Sequence, residues 1–117
     1  MDYLGKQLVV ELYGCDVERI DDINYVEKIM KEAAELAGAK VINSLFYKRE
    51  EKLSGVVFIT ESYYGFRSAP ALKYVGLDLF SYNETTDNVK ALEFLVRKFG
   101  ATKYSASEIK RGNKSEV

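Results

Sequence analysis

Apolar residues in 23–37 recur three and four apart, at Val26, Ile29, Met30, Ala33, Leu36 and Ala37, with Glu27, Lys28, Lys31, Glu32 and Glu35 on the other side. That period predicts a helix over 23–37. Gly38 stops it, because glycine enters the left-handed conformation without steric cost. Residues 88–99 repeat the pattern with Leu92, Leu95, Val96 and Phe99. Arg97 and Lys98 suit the negative end of that helix's dipole, and Gly100 ends it. Asp16, Asp21 and Asp22 are candidate N-caps for the first helix, and Thr85 and Thr86 for the second. Elsewhere the apolar residues fall into short runs rich in β-branched and aromatic side chains. These predict strands over 6–13, 40–47, 54–60, 63–68, 74–82 and 101–109. The charged residues 48–52 read as a solvated hairpin tip. Pro70, between Ala69 and Ala71, marks a break, since proline cannot donate to a sheet ladder. Residues 110–117 are charged, lack apolar anchors and read as a flexible tail.

Strands joined by short turns argue for an antiparallel sheet. Two one-sided helices cover only one of its faces. The expected fold is therefore α+β, a two-layer α/β sandwich in a single domain spanning 1–117. Tyr63, Phe66, Tyr74, Phe80 and Tyr104 are expected to make the uncovered face apolar enough to bury, which predicts a homodimer.

Composition narrows the chemistry. The 117 residues are 47% hydrophobic and 30% charged, with a formal net charge of −1, which gives no electrostatic case for nucleic acid or an anionic membrane. Cys15 is the only cysteine, so no intrachain disulfide exists. No apolar run is long enough to span a bilayer, residues 1–5 do not read as a signal peptide, and a cytoplasmic location is expected. There is no histidine. Ser-His-Asp and Cys-His nucleophile systems are thereby excluded, and no metal site is expected.

The chemistry that remains centres on residues 54–82, where Glu61-Ser62 joins two strands. A serine there is ordinary turn chemistry or the point at which a chain cuts itself. The order Leu4-Gly5-Lys6-Gln7-Leu8, Glu11-Leu12-Tyr13-Gly14-Cys15-Asp16, Ser54-Gly55-Val56-Val57, Ile59-Thr60-Glu61-Ser62 and Gly76-Leu77-Asp78-Leu79-Phe80 resembles the short prokaryotic S-adenosylmethionine decarboxylase proenzymes. The resemblance runs from about residue 4 to 111.

It implies that fold, and a chain that cleaves itself between Glu61 and Ser62. Ser62 would then become a pyruvoyl group, the electron sink for decarboxylation. Ser54 matches a serine that assists processing. Three motifs depart from the family pattern. The family's Glu-Ser-His is Glu61-Ser62-Tyr63, and its His-Thr-Trp-Pro-Glu is Arg67-Ser68-Ala69-Pro70-Ala71. Arg67 has no lone pair to take the proton that the histidine removes, and Ala71 cannot bond the nucleoside that the glutamate holds. The family's catalytic cysteine falls at Tyr82, a weaker acid than a thiol.

The readings left open follow from these departures. One is a degenerate, unprocessed protein without a cofactor. It would have a regulatory or ligand-binding role in polyamine (spermidine) biosynthesis, with an active paralogue as partner or a small amine or nucleoside as ligand. Another is a pyruvoyl-dependent decarboxylase acting on arginine, ornithine or S-adenosylmethionine, with Arg67 pairing a substrate carboxylate and Tyr82 supplying the proton. A third is a plain structural or interaction domain.

Overall fold

Alternate residues of a strand face opposite sides, so each run of strand residues divides between two surfaces. Here one surface is closed by helices and the other is left open. The computed structural model describes residues 2–117. Its strands are β1 (Tyr3–Tyr13), β2 (Val41–Arg49), β3 (Lys52–Ile59), β4 (Ser62–Ala69), β5 (Tyr74–Ser81) and β6 (Lys103–Asn113). They form one antiparallel six-stranded sheet in the order β2-β3-β4-β5-β1-β6. The chain leaves β1, crosses to the far edge, and returns strand by strand until β5 pairs with β1. A final helix then delivers β6 to the other side of β1.

Three helices, α1 (Val17–Ile20), α2 (Ile23–Leu36) and α3 (Asn88–Lys98), accompany the sheet. The α+β architecture expected from the pattern is the one observed. Asp22 caps α2, accepting from the amides of Asn24 and Tyr25 at 3.1 Å. Asp16 caps α1. That single turn is too short to display a hydrophobic period, and the sequence pattern missed it. Asp87, not Thr85 or Thr86, caps α3, accepting from the Lys90 amide at 3.0 Å. Asn83 holds Thr85 instead, through the Thr85 amide and hydroxyl.

The core lies between the sheet and the two longer helices. Leu8, Val10 and Leu12 of β1 and Val75, Leu77 and Leu79 of β5 meet Val26, Met30, Ala33 and Leu95 there, all buried. One polar link fastens α3 to the sheet. The Tyr64 hydroxyl donates to Asn88 Oδ1 at 2.6 Å, and Asn88 Nδ2 donates to the Leu79 carbonyl at 3.2 Å. Burial, helped by the Asp87 charge, pushes the Tyr64 pKa well up, so the phenol stays a donor.

Several expectations need correction. Phe66 packs on the helix side, 5.4 Å from the Phe99 ring. Tyr104 pairs with Leu12 and shares its side of the sheet, although β6 extends past the helices and every β6 residue is exposed. Neither belongs to the open face; Tyr63, Tyr74 and Phe80 do. Residues 110–113, expected as tail, continue β6 and pair with β1 as far as Tyr3↔Asn113. The charged segment 48–52 is the hairpin turn expected of it, with Glu50 and Glu51 at positive φ. Lys48, at its start, is tied down by Asp21 at 2.8 Å.

Candidate functional site

The turn between β3 and β4 contains Glu61, and β4 begins at Ser62. Ser62 pairs with Ile59 and Ser81, so its side chain lies on the helix side, like that of Tyr64 two residues on. Its Oγ is buried and has no hydrogen-bond partner among the described residues. An unpartnered buried hydroxyl is uncommon, because its desolvation is uncompensated. Glu61 is exposed in the turn.

On the open side of the same junction, Tyr63 meets Phe80 edge-on at 5.6 Å, and Tyr82 lies 4.8 Å from Phe80. The Tyr82 ring rests over Gly5, where a Cβ would come within 2.7 Å of it. Glycine is needed there for the close approach.

Ser54 and Arg67 face each other across β3 and β4, on the open side. Arg67 is five residues beyond Ser62 on the eight-residue β4, which at strand rise is about 16 Å. The residues singled out in the sequence therefore fall into two groups. Glu61, Ser62 and Tyr82 gather at one end of the strands. Ser54 and Arg67 lie toward the other end, across the plane of the sheet from the Ser62 hydroxyl. Cys15 is in neither group. It is buried, and burial raises its thiol from an ordinary 9.0 to about 11, so it remains protonated and inert near neutral pH. Ala71 lies in the single 3-10 turn Pro70–Leu72 that links β4 to β5.

Around Arg67 the open face forms a groove of about 510 Å³. Strand register builds it in two rows. Ser54, Arg67, Gly76 and Glu11 form one, and Val56, Gly65, Asp78 and Val9 the next. A glycine thus lies between Arg67 and Glu11, and another beside Asp78, giving a low floor between charged walls. Tyr47, Leu45 and Tyr74 complete the rim. The Tyr74 hydroxyl donates to Glu11. Burial, reinforced by that bond and the Glu11 charge, lifts Tyr74 to about 12. The Gln7 amide donates to Asp78 Oδ1 at 3.0 Å, so Asp78 is hydrogen-bonded on the open face. Arg67 is exposed and meets no acidic partner among the described residues.

This arrangement presents an anion-binding guanidinium opposite two carboxylates, which is the polarity a small amine-bearing acid requires. The sequence pattern did not single out Glu11 or Tyr74 as site residues. The available signal was the placing of Glu11 and Asp78 inside otherwise apolar strands.

Comparison with known proteins agrees with the fold. A family model of S-adenosylmethionine decarboxylase matches residues 6–112. The S-adenosylmethionine decarboxylase proenzyme of Carboxydothermus hydrogenoformans is 38% identical over 96% of this chain and 89% of its own length. That of Acetivibrio thermocellus is also 38% identical, over 96% and 91%. In Pseudomonas aeruginosa strain PAO1 the proenzyme is 38% identical over 93% of this chain, which spans 69% of that protein. The crystal structure of the adenosylmethionine decarboxylase from Aquifex aeolicus VF5 shares the fold, with a TM-score of 0.87 at 19% identity, covering 96% of this chain and 93% of that one.

Proposed function

This chain belongs to the S-adenosylmethionine decarboxylase family, and from that premise we propose that it is an uncleaved member. In this reading it does not decarboxylate S-adenosylmethionine. It holds a small amine-bearing acid on the open face of its sheet and serves as a regulatory or ligand-binding component linked to polyamine (spermidine) biosynthesis. The observation that carries the reading is the setting of Ser62. Attack on the preceding carbonyl needs a group to take the hydroxyl proton. Ser62 Oγ has no partner among the described residues, and Arg67 stands on the opposite face at about five residue rises, roughly 16 Å. Arg67 also has no lone pair with which to act as a base. A pyruvoyl group derived from Ser62 does not fit these surroundings.

The absence of nucleoside-binding chemistry at Ala71 favours a ligand smaller than S-adenosylmethionine. Arg67 would take its carboxylate, and Glu11 or Asp78 its ammonium group. The half-exposed apolar residues Leu45, Tyr47 and Phe58 on the same face support burial against a second copy, giving a homodimer, or against an active paralogue. No helix among the described residues is long and apolar enough to cross a membrane, and we place the protein in the cytoplasm.

A second reading is favoured by one observation, the retention of Glu61-Ser62 at a strand junction. It is a pyruvoyl-dependent decarboxylase acting on arginine, ornithine or S-adenosylmethionine. Intact mass separates the two. The first expects a single species of 13.3 kDa. Two fragments meeting at Ser62, the second lacking ammonia, would overturn it. Carbon dioxide release from each candidate substrate would then identify the reaction.

A further inference from the structure

Phe80 faces the open side of the sheet yet is only 5% exposed, whereas Phe58 on the same side is 46% exposed. No helix among the described residues covers that side. The covering comes from Tyr63, Tyr82 and the guanidinium of Arg111, whose carbon stands 4.9 Å from the Phe80 ring centroid. Arg111 comes from β6, two strands away, and reaches across β1. It can do so because its partner on β1 is Gly5, which has no side chain.

The guanidinium is held at a second point. Its Nη1 donates to Gln7 Oε1 at 2.7 Å, and the Gln7 amide nitrogen donates onward to Asp78 Oδ1 at 3.0 Å. Phe80 thus offers a π-face flanked by two phenol rings, beside an amide oxygen polarised by a carboxylate. These are the elements that recognise a planar, weakly hydrated cation. The occupying residue sits on an edge strand. It lies near the end of β6, all eleven residues of which are exposed and whose outer edge pairs with no strand among the described residues.

We propose that the Phe80 face is a guanidinium-binding site that Arg111 plugs from within the chain, so that a free guanidinium compound binds when Arg111 is withdrawn. The idea is independent of whether Ser62 is processed. It also connects the plug to the groove, because Asp78 lines the groove and anchors Gln7. Withdrawal of Arg111 removes a positive charge from one side of Asp78, and a guanidinium ligand restores it.

The test compares the intact chain with Arg111→Ala, using ethylguanidinium as probe and ethylammonium as the matched control. Binding is read by calorimetry and by the ring-proton shifts of Phe80, Tyr63 and Tyr82. Arg111→Ala should bind ethylguanidinium about tenfold more tightly than the intact chain and than it binds ethylammonium, a step within the range of a desolvated cation–π contact. Equal binding by the two proteins, no binding by folded Arg111→Ala, or equal affinity for both cations would overturn the proposal. Circular dichroism reports whether the variant is folded. If Arg111→Ala does not fold, Arg111→Lys keeps the charge and stem but not the planar fork, and the same tenfold preference for ethylguanidinium is expected of it. A further change, Gln7→Leu, on the probe-binding variant should abolish the preference; its survival would count against the site.

Discussion

The two faces of the sheet are made by the same strands, residue by residue, and have little else in common. On the helix side, β1 places Leu8, Val10 and Leu12 in the core. On the open side the same strand places Gln7, Val9 and Glu11, which serve the groove and the Arg111 contact. In β5, Val75, Leu77 and Leu79 go inward, while Gly76, Asp78 and Phe80 go outward. The helix face is closed by apolar packing and by polar links from Tyr64 to Asn88, from Ser68 to the Ile20 carbonyl and from Ser44 to Glu27. The open face carries the exposed Arg67 guanidinium, two carboxylates with hydrogen-bond donors, and glycines, one of them under the Tyr82 ring. Core packing and the polar groups of the open face are thus separated by a two-residue period, and a one-residue register slip would exchange them.

The comparison is broken most directly at the core. Leu12→Ala on the helix side should cost about 2–5 kcal/mol, the range for a truncated core leucine. Urea denaturation measures it, and a loss no larger than that of an open-face variant would erase the distinction between the faces. Tyr64→Phe leaves Asn88 Oδ1 without its buried donor and should cost about 1–3 kcal/mol. The same titration reads it, and an unchanged midpoint would show that the link to α3 is not a stabilising one.

Alkaline pH sharpens the contrast, because both faces bear raised acids. Cys15 moves from 9.0 to about 11 and Tyr74 from 10.0 to about 12. In each case the unfolded chain gives up its proton first, so over that window the native state binds more protons and stability falls as pH rises. The contribution is intact below pH 9 for Cys15 and below 10 for Tyr74, and is gone above 11 and 12. Thermal melts from pH 8 upward should decline, and Tyr74→Phe should flatten the upper part of the decline. A melt that rises over this range would contradict the burial of both groups.

The smallest stability effect is expected at Arg67. Arg67→Ala should change stability by no more than about 0.5 kcal/mol, as for an exposed surface position. It should nevertheless remove binding of a carboxylate ligand in the groove, read by calorimetry with arginine and ornithine. Undiminished binding would relocate the ligand away from Arg67.

Much of this was legible in the chain itself. Helices of residues 23–37 and 88–99 and the order of strands follow from period and punctuation, and the observed α2, α3 and β1 to β6 lie on them within a few residues. The missed α1 has four residues, too few for a period. The Asp87 cap was hidden by neighbouring threonines that can also cap, and geometry decided for the aspartate. Residues 110–113 looked like tail because they lack apolar content. They are ordered by backbone pairing with β1, to which side-chain hydrophobicity contributes little.

The candidate site divides in the same way. The identities Glu61, Ser62, Ser54, Arg67 and Tyr82, and the loss of histidine, are facts of sequence. Their grouping is not. Pattern alone could alternate residues along β4, but it could not say that Ser62 turns toward the helices while Arg67 turns away. Nor could it say that Phe66 turns inward to meet Phe99. Those assignments depend on register with β3 and β5, and on which side of the sheet α2 and α3 settle. Glu11, Asp78 and Arg67 are more than fifty positions apart at their widest, from 11 to 78, and Arg111 reaches Phe80 only because β6 returns beside β1. By itself the sequence determined the elements, the fold class and the reacting groups available, since these rest on local periodicity and on side-chain chemistry. Tertiary structure alone decided which groups share a face, because strand pairing is a long-range choice that no local pattern encodes.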